Sequence, residues 1–73
     1  MIEASEIGRR LKSLRNDKGI SCEEFAREME ISTSAALKYE SGERMPRDEV
    51  KVKIADFYGM TVQEIFFDEK CHV

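Results

Sequence analysis

The sequence predicts an all-α fold of five short helices. Three observations carry the prediction. Apolar residues recur at helical spacing, Ser21-Cys22-Glu23-Glu24 and Thr61-Val62-Gln63-Glu64 have the spacing of capping boxes, and Gly19, Gly42 and Gly59 stand where helices commonly stop.

The first helix is expected from about Ser5 to Lys18, with Ile7, Leu11 and Leu14 as its apolar stripe, Gly8 as a weak spot and Gly19 as its end. The second starts at Ser21, whose hydroxyl can accept from the Glu24 amide, buries Phe25, Ala26 and Met29, and ends near Glu30. Ser32 is a good N-cap for a third helix with Ala36 and Tyr39 inward and Gly42 as its stop. Glu43-Arg44-Met45-Pro46 reads as a loop, because proline favours an extended conformation before it. Val50, Val52 and Ile54 alternate with lysines like a strand, but Val50, Ile54, Phe57 and Tyr58 share one helical face over the longer window. A fourth helix from about Asp48 to Tyr58 follows, with Asp48 and Glu49 suiting its dipole and Val52 left off the main stripe. A fifth helix of one or two turns begins at Thr61 and closes the core with Ile65 and Phe66. The domain is expected over residues 1–67, with 68–73 as a flexible tail.

A chain of 73 residues, 41% of them hydrophobic, allows one domain near the lower size limit for a core that is stable unaided. No apolar run approaches membrane-spanning length, and Glu3, Ser5 and Glu6 interrupt any signal-like stretch, so a cytoplasmic protein without membrane contact is expected. Cys22 and Cys71 form no Cys-x-x-Cys pair and read as free thiols. The sole histidine, His72, sits beside Cys71 near the end, without the further ligands a metal needs, and no nucleophile–base pairing is evident. Neither catalysis, a cofactor nor a metal is therefore expected.

The formal net charge of −3 speaks against nucleic acid as a partner, but the field at the contact face matters more than the sum. Residues 1–20 are locally basic, with Arg9, Arg10, Lys12, Arg15 and Lys18 against Glu3, Glu6 and Asp17. Two short amphipathic helices joined by a tight turn, from Ser21 to Ser41, can set the second of them into the major groove of DNA.

With these pieces in order the chain resembles the lambda-repressor/Cro type of helix-turn-helix domain, often called the Xre family. The resemblance runs from Ile7 to Phe66 without a gap. It rests on Leu11-Lys12-Ser13-Leu14-Arg15, Lys18-Gly19-Ile20-Ser21, Glu23-Glu24-Phe25-Ala26, Ile31-Ser32, Tyr39-Glu40-Ser41-Gly42, Pro46, Ala55, Gly59-Met60-Thr61 and Glu64-Ile65-Phe66. It implies a five-helix, usually dimeric domain that binds operator DNA and regulates transcription, with the third helix as recognition helix and the second lying across the backbone. It further implies a salt bridge between Arg15 and Glu40 that locks the recognition helix, and a core role for Tyr39. The family commonly carries Gln where this chain has Cys22, and a larger apolar residue where it has Ala36. Phe25 or Met29 is then expected to fill the core around Ala36.

On that geometry Thr33, Ser34, Leu37 and Lys38 are the candidates for base edges. The hydroxyls discriminate weakly, Leu37 suits a thymine methyl, and Lys38 suits guanine or a phosphate. Phosphates are expected at Arg44 and Arg47, with Arg10 and Lys12 as lesser candidates, and at the helix starts of Cys22 and Ser32. Glu43 weakens the field of the loop cations. Cys22, at a helix N-terminus, is expected to have some thiolate character, with an inert thiol as the alternative.

A lone domain must supply its own homodimer contacts. Val52 and Phe67, with Ile2, are the candidates, the alternative being that Phe67 folds back onto the first helix. The leading functional expectation is a sequence-specific regulator, a repressor of a palindromic operator in double-stranded DNA. The alternative is an antitoxin or adaptor whose acidic surface binds a protein partner.

Overall fold

The computed structural model describes residues 3–69, which form α1 (Ala4–Lys18), α2 (Cys22–Met29), α3 (Thr33–Ser41), α4 (Asp48–Tyr58) and α5 (Gln63–Phe67). Among the described residues no strand occurs, and no helix is long and apolar enough to cross a membrane. The expectations for Ile2, Cys71 and His72, and for 70–73 of the tail, lie outside the described residues.

Helix ends follow the capping chemistry of the sequence. Ser21 Oγ accepts from the Glu24 amide at 3.1 Å while Glu24 accepts from the Ser21 amide at 3.2 Å. Thr61 and Glu64 repeat the exchange at 3.1 and 2.9 Å. α2 ends on Glu30, not on glycine, at φ 59. That left-handed conformation costs an L-residue roughly 1–2 kcal/mol, and Lys53 of α4 meets the Glu30 carboxylate there at 2.8 Å. The fifth helix is a π-helical turn whose last bond joins the Asp68 amide to the Gln63 carbonyl, five residues back, at 2.8 Å.

The stripes predicted from spacing converge on one core. Leu11, Phe25, Ile54 and Ile65 are its largest fully buried side chains, each contributing roughly 1.5–3 kcal/mol by leaving water. Ala36 and Tyr39 face inward from α3, and the ring of Phe25 stacks on Tyr58 at 6.0 Å with Phe57 edge-on at 6.3 Å. Phe25, Met29 and Ala36 are all buried in the same core cluster.

α1 and α3 touch main chain to main chain. A Cβ on Gly8 would fall on the Glu40 carbonyl oxygen and 2.9 Å from the Tyr39 carbonyl oxygen. A Cβ on Gly42 would come within 2.8 Å of the Ser5 Cα. Gly8 is thus no weak spot: its missing side chain is what lets α3 lie against α1. Gly42 meets a double demand, since its φ of 85° also favours glycine.

Candidate nucleic-acid interface

α2, the three-residue turn Glu30-Ile31-Ser32, and α3 make the helix-turn-helix. α3 buries Ala36 and Tyr39 and turns Ser34, Leu37, Lys38 and Ser41 to solvent, with Thr33 half-buried. Its N-terminus is the more anion-friendly of the pair. Ser32 Oγ accepts from the Ala35 amide at 3.0 Å and no carboxylate stands in the first turn. The first turn of α2 instead carries Glu23 and Glu24, which offset its positive dipole end.

The cations divide into occupied and open groups. Arg9 pairs with Glu6 at 2.7 Å, Lys53 with Glu30 at 2.8 Å and Lys51 with Asp48 at 3.7 Å. Lys18 lies 4.7 Å from the centre of the Phe57 ring and donates to the Phe57 carbonyl at 3.5 Å. Arg10 corrects the sequence expectation: it is 4% exposed, and its Nη1 donates to the Ile65 carbonyl at 3.0 Å. Its guanidinium ties α1 to α5 and is withdrawn from any phosphate. Lys12, Arg27, Lys38, Arg44 and Arg47 are all exposed and make no ion pair among the described residues. Lys38, Arg44 and Arg47 lie on α3 and the loop after it. Between Ile31 and Arg47 the carboxylates are Glu40, which is taken by Arg15, and Glu43. A negatively charged molecule as a whole therefore presents a locally positive face. Arg27, on α2, was not singled out from the sequence. Glu24, three residues before it, accepts from the Ser21 amide.

The pose of α3 is locked from behind. Arg15 Nε donates to Glu40 Oε2 at 2.8 Å and Nη2 to Oε1 at 3.2 Å, while Nη1 donates to the Ile20 carbonyl at 2.9 Å. The two side chains are only 14% and 7% exposed. Such a two-point fork fixes orientation as well as adding energy. The Glu40 carboxylate holds the Arg15 guanidinium even more firmly in its charged form than usual.

Cys22 packs half-buried against the core. Burial first, and then the Glu40 carboxylate, push its thiol up, so the thiolate expected at this helix start does not develop.

Tyr58 Oη is buried with no hydrogen-bond partner among the described residues. Burial first, then the Glu40 charge, push its phenol well above the usual value of 10.0. The fold thus favours neutral Tyr58. This contribution is complete below the unfolded pKa near 10 and is lost as pH rises above it through the folded value. In Tyr39→Phe, where Tyr58 is the remaining tyrosine, phenolate absorbance is expected to appear only above pH 10 and together with the loss of helical circular dichroism. Ionisation near pH 10 in an intact helix would contradict this.

Val52 and Phe67 are exposed at 51% and 56%. Phe67 does not fold back into the core; the Lys51 ammonium lies 5.3 Å from the centre of its ring.

Comparison with known proteins agrees with this architecture. The HTH-type transcriptional activator BcrR of Enterococcus faecalis is 31% identical over 65 residues, which cover 89% of this chain and 32% of the activator. The cryptic phage CTXphi transcriptional repressor RstR of Vibrio cholerae is 28% identical over 64 residues, covering 88% of this chain and 58% of the repressor. The uncharacterized HTH-type transcriptional regulator YazB of Bacillus subtilis (strain 168) is 33% identical over 69 residues, covering 94% of this chain and 100% of that protein. The chain thus spans about a third of the first relative and little more than half of the second. No solved structure matches. A family model for the helix-turn-helix domain fits residues 6–65. On that match, and on the Cro/Xre-like order of its helices, the chain belongs to the helix-turn-helix domain family.

Proposed function

We propose that the chain is a DNA-binding transcription regulator that sets α3 into the major groove. The observation that carries the reading is that three of the five open cations, Lys38, Arg44 and Arg47, lie on α3 and its following loop in a chain of net charge −3. Thr33, Ser34, Leu37 and Lys38 face base edges. Ser32, Arg44, Arg47 and the Cys22 amide face phosphates, and Lys12 and Arg27 stand as further cations. Two copies pair through the exposed Val52 and Phe67 and occupy palindromic half-sites about one helical turn apart. The regulator acts as a repressor by occupying its operator. The relatives named above include an activator as well as a repressor.

The test is selection of duplexes from a random pool at low salt, followed by footprinting. Lys38→Ala with Arg44→Ala is expected to abolish retention at moderate salt with helicity unchanged. Each lost phosphate contact makes the log–log salt slope shallower by about 0.9. Full retention by the double variant removes the site assignment. One observation favours a second reading: Glu23, Glu24 and Glu28 make the exposed face of α2 acidic, as suits an antitoxin or adaptor binding a protein. A toxin gene next door, with no duplex enriched, favours that reading.

A further inference from the structure

We infer that Leu37 decides which duplex α3 accepts, by seating the C5-methyl group of a thymine. The inference rests on the regulator reading above and names what that site selects. It follows from what the outer face of α3 has left to offer a base pair.

Two of the serine hydroxyls already have partners within the chain. Ser32 Oγ caps the Ala35 amide at 3.0 Å. Ser41 Oγ donates to the Lys38 carbonyl at 3.1 Å and accepts from the Glu43 amide at 3.4 Å. Thr33 is half-buried. No Asn, Gln or Arg occurs from Thr33 to Ser41, so the two-point pairings that read adenine through an amide, or guanine through a guanidinium, are closed to this helix. Ser34 keeps a free hydroxyl, which both donates and accepts and therefore tolerates every base pair. Lys38 is a point charge that serves guanine and phosphate alike.

Leu37 remains. Its side chain is 54% exposed, beside Lys38 and one turn on from Ser34. The other exposed large hydrophobics among the described residues, Met45, Val52 and Phe67, lie off α3. The thymine methyl is the apolar group that a base pair projects into the major groove. An apolar side chain left 54% exposed in the free protein gains by covering that methyl, a group that cytosine does not carry. Discrimination by this helix is thus apolar in kind.

The experiment starts from the duplex that the wild-type chain enriches most strongly. Each thymine is replaced in turn by deoxyuridine, which removes the methyl and leaves every hydrogen-bonding group. At one thymine per half-site the replacement is expected to weaken wild-type binding about fourfold, the worth of one buried methyl group. Leu37→Ala binds the thymine and deoxyuridine duplexes equally, and Leu37→Met restores the difference. Leu37→Gln, which keeps the reach and loses the apolar end, replaces Leu37→Ala should that variant lose helicity. Equal binding of both duplexes by the wild-type chain, or a difference that survives in Leu37→Ala, overturns the inference and leaves the regulator reading standing. A pool from which the folded wild-type chain enriches nothing overturns both.

Discussion

Arg15→Met is expected to cost about 3 kcal/mol of folding stability. The substitution keeps the apolar stem and removes the fork. It leaves the Glu40 carboxylate, 7% exposed, without its two Arg15 donors, and the Ile20 carbonyl without the one that Arg15 Nη1 supplies. The cost of stranding a charge exceeds the worth of the pair itself, so repairing the strand should recover part of the loss. Arg15→Met with Glu40→Leu is accordingly expected to be more stable than Arg15→Met alone. A domain of this size holds only about 4–11 kcal/mol in total, so the single variant gives up a large share. Urea unfolding of both variants and the wild type measures the effect. A loss under about 1 kcal/mol, the range of exposed pairs, would show that the bridge contributes no more than a surface contact.

Gly8→Ala sets two effects against each other. Alanine inside a helix gains about 1 kcal/mol over glycine. The added Cβ, however, would overlap the Glu40 carbonyl oxygen and crowd the Tyr39 carbonyl oxygen. Both are main-chain atoms that no rotamer change can move aside. α1 and α3 must separate, loosening the packing of Ile7 and Leu11 against Ala36 and Tyr39. Overpacking of this kind costs about 1–3 kcal/mol, occasionally more, and at a rigid contact the upper end applies. A net loss of about 2 kcal/mol follows, read as a fall of roughly 8–16 °C in melting temperature. An unchanged or raised melting temperature would mean that the two helices do not meet as described.

Much of this was legible in the sequence because it is local. The boxes at Ser21 and Thr61 announce themselves by spacing, and the window from Asp48 to Tyr58 gives its helix by period once read at full length. Arg10 was misread although its position was informative. With Ile7, Leu11 and Leu14 it falls on one helical stripe, and only its charge suggested that it faced water. A carbonyl 55 residues away accepts from it, and no local pattern foretells such a partner. Cys22 was misread for the same reason, since the burial and the carboxylate that raise its thiol come from other parts of the chain. The α3 face was legible as a set of exposed positions. Which of its hydroxyls are already engaged required coordinates.

The bare approach of α1 to α3 at Gly8 and Gly42 has an evolutionary corollary. Where main chains abut, orientation does not depend on the bulk of any adjustable side chain. Positions 34, 37 and 38 on the far side are then free to diverge among gene copies while the rod they ride on keeps its tilt. On the regulator reading, new target preferences are then reachable in single steps, none requiring a matching change inside.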